Sequence, residues 1–220
     1  MGGMQALEWA VMYPDRVASM VLASSTTEAS AQQIAWSHVG RSAIEADPEF
    51  LGGDYYSLEA GHGPHRGLAV ARMAAQITYR TEQVLSQRFG RRSELPLAFS
   101  LDHRFDVESY LEYQGEKLVD RFDANSYLRL NRAMDLHDVG RGRSGVTAAL
   151  ARVQAPALVA SVCSDTLYPP EQQRALHQGL LDSGSQSRWL DIDSPHGHDG
   201  FLIETAQLST PIAEFIEEHA

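Results

Sequence analysis

The spacing of apolar residues predicts a helix at the start of the chain and a buried strand soon after it. Four apolar residues recur at the interval of one helical face: Met4, Leu7, Ala10 and Val11. Pro14 ends this helix because the residue before a proline is pushed out of the helical region. Residues 17–25 then form a nearly continuous apolar run that ends in small polar residues, as in a buried parallel strand. Together these elements form the second half of a βαβ unit.

The pattern changes between residues 29 and 150. Helical periodicity predicts four helices separated by glycine-rich or polar breaks, over residues 31–46, 66–89, 107–121 and 125–137. This block contains no strand pattern. A long helical block between two parallel-strand units indicates an inserted lid subdomain over residues 29–150.

The α/β pattern returns at Pro156. Residues 157–162 and 188–193 are predicted strands, and helices are expected over residues 169–181 and 201–218. The predicted core therefore comprises residues 1–28 and 151–220. Three core strands are fewer than the about five or six of an ordinary sheet. The sequence thus predicts the α/β class, with an incomplete, mostly parallel sheet and a large helical lid.

Composition narrows the expected setting of the protein. A formal net charge of -11 argues against nucleic acid as a partner, since phosphate backbones are bound by basic clusters. One cysteine allows no disulfide within the chain and favours a reducing compartment. No apolar run approaches the about 20 residues of a membrane span, and no signal-peptide pattern opens the chain. We therefore expect a cytoplasmic protein without a membrane partner.

Two titratable residues follow the predicted strands of the C-terminal part. Asp165 comes after one strand and His198 after the next, where open α/β sheets bind their ligands. This chain order, acid and then histidine, is that of an α/β-hydrolase triad, whose serine lies on a tight strand-to-helix turn. Met1-Gly2-Gly3 opening a helix resembles the downstream half of such a turn. We expect the serine immediately before Met1.

Other interpretations of these residues stay open from spacing alone. Asp165 could cap a helix or a loop. His196, His198 and Asp199 could bind a metal, although no third well-spaced histidine or cysteine supports a zinc site. We expect no metal.

Four sequence blocks resemble one family. They are Met1-Gly-Gly-Met-Gln-Ala-Leu-Glu-Trp9, Asn125-Ser-Tyr127 through Arg132-Ala-Met-Asp135, Ser164-Asp-Thr-Leu-Tyr-Pro-Pro-Glu-Gln-Gln173 and Gly197-His-Asp-Gly-Phe-Leu202. In this order they resemble the homoserine O-acetyltransferases of the α/β-hydrolase superfamily, across almost the whole chain. The resemblance implies an incomplete α/β-hydrolase fold that lacks everything up to and including the nucleophilic serine.

The resemblance also implies roles for individual residues. Asp165 would be the triad acid, His198 the triad base, and Met1 the residue whose backbone N–H contributes to the oxyanion hole. Homoserine would be held by Arg72 and Tyr79 of the lid and by Asp199.

Physical chemistry agrees with these substrate-binding roles. Two helical turns separate Arg72 from Tyr79, so both can face one cleft. A guanidinium suits the substrate carboxylate, and the carboxylate of Asp199 suits its ammonium group. Arg80 is the competing candidate for the role of Arg72.

The implied activity is homoserine O-acetyltransfer in methionine biosynthesis. Acetyl-CoA, a co-substrate rather than a bound cofactor, acylates the serine, and the homoserine hydroxyl then accepts the acyl group. A homodimer through the lid is typical of the family. The alternatives are homoserine O-succinyltransfer, serine O-acetyltransfer, a plain esterase, or a non-catalytic fragment or interaction module. Without its serine, the chain as printed is expected to be inactive.

Overall fold

The computed structural model describes residues 1–59, 61–93, 99–100 and 103–219. Within these ranges the helices and strands, in chain order, are α1 (Gly2–Met12), β1 (Met20–Ala23), α2 (Ala31–Glu45), α3 (His65–Thr78), α4 (Glu82–Arg88), α5 (Asp106–Val119), α6 (Ala124–Asp135), α7 (Val146–Leu150), β2 (Ala157–Val162), α8 (Pro170–Asp182), β3 (Ser187–Ile192), α9 (Gly200–Ile203) and α10 (Thr205–Glu218). Short 3-10 helices span Pro14–Arg16, Leu51–Gly53 and Gly197–Asp199.

The chain divides into two compact units. The first comprises Met1–Ser30 and Leu136–Ala220, and the second comprises Ala31–Asp135. The boundary at which the helical insertion ends and the sheet-bearing unit resumes therefore lies after residue 135, rather than after residue 150 as predicted. The reason is that Val139, Ala149 and Leu150 are buried in the core of the first unit. The spacing of residues in this glycine-rich stretch did not indicate that burial.

The first unit contains a parallel sheet with the strand order β1-β2-β3. All six residues of β2 are buried, because β2 is the central strand of the three and is covered on both faces. The apolar face predicted for α1 is also buried, with Leu7, Ala10 and Val11 in the same core as Leu22 and Val159. The three predicted strands are thus present, and β2 has the predicted bounds.

Two chain segments of the first unit meet where the helical insertion leaves and returns. The Ala29 N–H donates to the His137 carbonyl at 3.0 Å, and the Val139 N–H donates to the Thr27 carbonyl at 2.9 Å. Glu28 and Asp138 form an antiparallel bridge between these bonds. A short antiparallel ladder therefore closes the base of the insertion.

The second unit is helical, and no strand occurs among its described residues. Helix α3 packs against both α2 and α5, and α6 packs against α2. Gly67 allows the close approach of α3 and α2, because a Cβ there would lie 2.5 Å from the carbonyl oxygen of Ala43. The predicted helix over residues 66–89 is wrong as a single element. It divides after Thr78, and the Thr81 side chain caps α4 by accepting from the Val84 N–H at 3.2 Å.

A hydrogen-bond network joins two distant parts of the second unit. The Tyr55 hydroxyl donates to Oδ1 of Asp123 at 2.5 Å and accepts from the Asn125 N–H at 2.9 Å. Burial and the Asp123 carboxylate raise the pKa of the Tyr55 hydroxyl. Burial alone would raise the pKa of Asp123, but hydrogen bonds from Tyr55 and Ser126 outweigh it and lower that pKa. The network fixes the start of α6 against the segment after α2.

The C-terminal helix also differs from its prediction. The pattern over residues 201–218 indicated one helix, whereas α9 ends at Ile203 and α10 begins at Thr205. Glu204 has a non-helical backbone conformation (φ -83°, ψ 50°) and separates the two helices. No helix among the described residues is long and apolar enough to cross a membrane.

Candidate active site

Asp165 lies in the turn that follows the buried strand β2. The Asp165 N–H donates to the Val162 carbonyl at 3.1 Å, and this turn directs the side chain into the protein, where it is fully buried. Its Oδ1 accepts the backbone N–H groups of Leu167 and Tyr168, each at 2.9 Å. One carboxylate oxygen therefore holds the acid in place on its own loop.

The other carboxylate oxygen of Asp165 contacts His198. Nδ1 of His198 is 2.8 Å from Oδ2 of Asp165, although thirty-three residues separate the two in the chain. The imidazole is 17% exposed and packs against the rings of Tyr168 and Phe201, at centroid distances of 5.1 and 5.2 Å. Because a carboxylate only accepts, Nδ1 carries the hydrogen and Nε2 is the basic nitrogen. This is the tautomer that a general base requires.

The loop of the acid and the loop of the histidine are tied together. The Ser164 hydroxyl donates to the Ser194 carbonyl at 2.6 Å and accepts from the Gly197 N–H at 2.9 Å. A Cβ at Gly200 would lie 2.7 Å from Cγ1 of Val162, so the segment after the histidine reaches β2 only because residue 200 is glycine. These contacts hold the pair at its hydrogen-bond distance.

Met1 immediately precedes α1, whose first turn lies at the same edge of the sheet. A Cβ at Gly3 would be 2.8 Å from Cβ and Oγ of Ser25, which lies two residues after the end of β1. Since the strands are parallel, the ends of β1 and β2 share one edge, and Asp165 follows β2. The structure thus brings Asp165 and His198 into contact and places the start of α1 at their edge of the sheet. The oxyanion role of Met1 stays a prediction.

Arg72 and Tyr79 lie together within the second unit. Cζ of Arg72 is 5.3 Å from the centroid of the Tyr79 ring, at the end of α3. Burial, with the nearby Tyr79, raises the pKa of Tyr127 to about 12, against the opposing effect of the cations Arg72 and Arg41. Two arginines and two tyrosines therefore share one neighbourhood.

The two arginines of this cluster differ in how their charge is compensated. Nη1 of Arg41 donates to Oδ1 of Asn131 at 2.5 Å and is in ion-pair contact with Oδ2 of Asp135, also at 2.5 Å, outside the hydrogen-bond direction. No carboxylate of the described residues is within ion-pairing distance of half-buried Arg72. The role of Arg72 in binding a substrate carboxylate stays a prediction.

Asp199 follows His198 in the 3-10 helix Gly197–Asp199 and is half-buried. In the described part of the chain, no group of three His, Cys, Asp or Glu residues could hold a metal ion. In addition, the contact between His198 and Asp165 occupies Nδ1 of the histidine. These observations leave the metal interpretation of His196, His198 and Asp199 without support.

Sequence reasoning assigned no role to two further residues near these groups. Tyr127 lies in a block that carried the family resemblance, but only its neighbours in space show that it joins Arg72 and Tyr79. Gln173 ends another such block and is fully buried. The sequence did hold a signal for Gln173, which is a polar residue on the apolar side of a predicted helix. A buried amide requires hydrogen-bond partners, so such a position indicates a structural role.

The fold and the acid–histidine pair define the class of protein. The sequence profile described as "alpha/beta hydrolase fold" matches residues 1–203, and the chain belongs to this family. The predicted α/β-hydrolase fold is therefore confirmed. A crystal structure of homoserine O-acetyltransferase from Bacillus anthracis superposes with a TM-score of 0.89 at 24% identity, covering 97% of this chain and 57% of that one.

Within the class, the chain resembles homoserine O-acyltransferases. It is 45% identical over 220 residues to the homoserine O-acetyltransferase of Carboxydothermus hydrogenoformans, covering 99% of this chain and 57% of that protein. It is 46% identical to the homoserine O-succinyltransferase of Burkholderia multivorans, covering 100% of this chain and 59% of that protein. The predicted resemblance is confirmed, and the chain spans less than two thirds of the length of these relatives.

Proposed function

We propose that this chain carries the acid and the base of a homoserine O-acetyltransferase. The observation that supports the proposal most directly is the 2.8 Å contact between buried Asp165 and His198 at the carboxyl edge of a parallel sheet. The proposal requires a nucleophilic serine, which the family resemblance leads us to expect immediately before Met1. No bound cofactor is required, because acetyl-CoA enters as a co-substrate.

The first half-reaction acylates the serine. Nε2 of His198 takes the proton of the serine hydroxyl as its oxygen attacks the thioester carbonyl of acetyl-CoA. The backbone N–H of Met1 donates to the oxyanion of the tetrahedral intermediate. When the intermediate collapses, the carbon–sulfur bond breaks and the imidazolium returns the proton to the CoA thiolate. The products are acetyl-serine and free CoA.

The second half-reaction transfers the acetyl group to the amino-acid acceptor. His198 removes the proton of the homoserine hydroxyl, whose oxygen attacks the acetyl-serine carbonyl. Collapse of this intermediate releases O-acetylhomoserine, and the serine oxygen recovers the proton from His198. Asp165 remains a carboxylate throughout and stabilises each imidazolium.

Residues for binding homoserine are also proposed. The guanidinium of Arg72, beside Tyr79, pairs with the substrate carboxylate, and Asp199 pairs with the substrate ammonium group. The support is the cation–π contact of Arg72 with Tyr79 at 5.3 Å and the lack of a carboxylate partner for Arg72 among the described residues. We further propose that the protein acts in cytoplasmic methionine biosynthesis as a homodimer formed through the helical insertion, without a nucleic-acid partner.

A second acyl donor is a specific alternative. The O-succinyltransferase relative is as similar to this chain as the O-acetyltransferase relative, at 46% and 45% identity. Overall similarity therefore does not separate succinyl-CoA from acetyl-CoA. L-serine as the acceptor is a further alternative, as is a non-catalytic fragment or interaction module formed by residues 1–220 alone.

A chimeric enzyme tests these proposals. Residues 1–220 replace the matched region of the Carboxydothermus hydrogenoformans enzyme, and CoA release is measured with acetyl-CoA or succinyl-CoA and L-homoserine or L-serine. We expect CoA release with acetyl-CoA and L-homoserine, and mass spectrometry should identify O-acetylhomoserine. The His198→Ala chimera is the matched control for background thioester hydrolysis.

Three outcomes would contradict parts of the proposal. A folded chimera without transfer to any acceptor would remove the acyltransferase assignment. Preference for succinyl-CoA would replace the donor, and preference for L-serine would replace the acceptor.

The 220-residue chain assayed alone is expected to be inactive, and CoA release dependent on L-homoserine would refute that expectation. Genomic DNA upstream of Met1 should contain in-frame Gly-Gly-Ser codons.

A further inference from the structure

Gln173 is a fully buried glutamine near the start of α8, and both ends of its side-chain amide are hydrogen-bonded. Nε2 donates to the carbonyl oxygen of Ser25 at 2.7 Å. Oε1 accepts from the hydroxyl of Ser161 at 3.2 Å. The partners lie twelve residues before Gln173 and one hundred and forty-eight residues before it. The glutamine therefore connects strand β2 with the loop that follows β1.

Ser25 is the point at which this loop meets helix α1. The preceding Ser24 extends the pairing of β1 with β2, because its N–H donates to the Ala160 carbonyl at 2.9 Å, and its φ of 43° then turns the chain. Ser25 packs so closely on Gly3 that a Cβ on the glycine would lie 2.8 Å away. The Ser25 hydroxyl has no hydrogen-bond partner in the described part of the chain. The carbonyl bond to Gln173 thus anchors Ser25.

These contacts form a continuous connection from the catalytic acid to the start of α1. Ser161 lies on β2, four residues before Asp165 in the chain. From Ser161 the connection passes through the amide of Gln173 to Ser25, and from Ser25 by direct packing to Gly3. A buried amide with both ends bonded has one geometry, because rotating it leaves buried polar atoms unpaired. The connection therefore has little freedom.

We infer that Gln173 is a positioning residue, which sets the first turn of α1 relative to Asp165 and His198. The inference rests on the proposed function, in which the N–H of Met1 and the serine before it must meet His198. Gln173 touches no reacting atom. It acts through Ser25, whose position limits how closely α1 approaches the edge of the sheet. Small displacements of such a turn reduce rates steeply.

Amide hydrogen exchange of the 220-residue chain tests the positioning directly. Gln173→Met is of similar size and removes both hydrogen bonds, whereas Ser161→Ala keeps the bond to Ser25. We expect Gln173→Met to accelerate exchange in peptides covering residues 2–13 and 24–30 roughly tenfold, the factor expected for the loss of one hydrogen bond. Ser161→Ala should accelerate exchange in the same peptides by a smaller factor, because it keeps the bond to Ser25 but leaves the buried Oε1 of Gln173 without a donor.

Gln178 supplies the matched control for the same substitution. It lies on the same helix, and its amide donates to exposed Asp182, so Gln178→Met should leave both peptides unchanged. Circular dichroism verifies that each variant is folded. Acceleration in α10 as large as that in residues 2–13 would show general destabilisation and overturn the inference.

The chimera supplies a kinetic test. Gln173→Met should lower kcat by about tenfold to a hundredfold while KM for L-homoserine is unchanged, because only the geometry of the reacting groups is altered. An unchanged kcat, or an effect on KM alone, would overturn the positioning role. The exchange experiment does not need activity. If the unsubstituted chimera transferred no acyl group, the proposed function would fail while the exchange result still decided the structural part of the inference.

Discussion

The carboxylate of Asp165 orients the ring of His198 with one oxygen and is itself held by two backbone N–H groups at the other, each at 2.9 Å. Replacing Asp165 by Asn keeps the shape but turns an acceptor into an amide that can donate to Nδ1. The imidazole would then adopt the wrong tautomer. In the chimera, Asp165→Asn should lower kcat for acyl transfer by about 10⁴-fold.

Asp193 provides the control for this substitution. It follows β3 at the same edge of the sheet, is exposed, and contacts Cys163 rather than the histidine. Asp193→Asn should leave kcat within about twofold of the unsubstituted chimera, as expected for a surface change. Equal losses in the two variants would mean that negative charge at the edge, rather than orientation of His198, supports the reaction.

Arg72 should determine how tightly the acceptor is bound. Arg72→Lys keeps the charge but loses the planar, two-pronged donor and its stacking on Tyr79. In the chimera we expect KM for L-homoserine to rise at least about tenfold, the effect of losing about 1.4 kcal/mol of binding. Acylation by acetyl-CoA, measured as the pre-steady-state burst of CoA, should be unchanged.

Arg66 is a suitable control, since it is exposed on the same helix. Arg66→Lys should alter neither KM nor the burst. If Arg80→Lys raised KM while Arg72→Lys did not, the carboxylate-binding role would belong to Arg80.

The buried ion pair between Arg41 and Asp135 should stabilise the second unit strongly. Their side chains are 11% and 3% exposed. Asp135→Leu leaves the guanidinium buried without a counter-charge, which costs about 3–5 kcal/mol. Urea unfolding of the 220-residue chain, followed by circular dichroism, should show this loss.

The exposed pair between Arg188 and Glu218 provides the comparison. Glu218→Leu should cost less than about 1 kcal/mol, because solvent screens an exposed pair. A loss of similar size for Asp135→Leu would show that Asn131 alone satisfies Arg41.

His137 should make the first unit less stable at acidic pH. Its Nε2 is 2.9 Å from the Thr26 carbonyl, and its Nδ1 is 3.9 Å from Oε1 of Glu8. Burial lowers the pKa of His137 below its usual value, against the opposing effects of Thr26 and Glu8. The unfolded chain therefore binds the proton first as the pH falls. Stability is complete above the unfolded pKa of about 6.5 and is lost as the pH falls toward the folded pKa.

The slope of this loss is at most about 1.4 kcal/mol for each pH unit. Urea unfolding at pH 7.0, 6.0 and 5.5 should show a smaller loss for His137→Gln, which carries no titrating group. His38→Gln, at an exposed position, corrects for the shared acid response of the chain. Parallel curves for the wild type and His137→Gln would contradict the prediction.

The parts of the fold that the sequence revealed are those in which a local pattern determines the outcome. The apolar run at residues 157–162 is buried at every position, so its bounds were predictable. Asp165 and His198 were predictable as a pair because the order of strands in the chain is also their order in the sheet. The break at Thr81 had a local signal, a helix-capping threonine, which the apolar periodicity of residues 66–89 obscured.

The parts that were not predictable depend on residues far apart in the chain. The partners of Tyr55 at Asp123 and Asn125 lie about seventy residues away, and no spacing indicates such a contact. Val139 and Leu150 belong to the sheet-bearing unit because they fill its core, whereas the surrounding glycines suggested a lid loop. Both features are determined by tertiary packing, which no local sequence pattern indicates.

The antiparallel ladder between Thr27–Ala29 and His137–Val139 has an evolutionary consequence. Because these bonds bring both ends of the insertion together within the sheet-bearing unit, the length of the segment between them is only weakly constrained. Doubling a flexible loop costs only about 0.6 kcal/mol in closure entropy. Changes in the length of the segment from residue 31 to residue 135 are therefore expected to leave the strands that precede Asp165 and His198 unchanged.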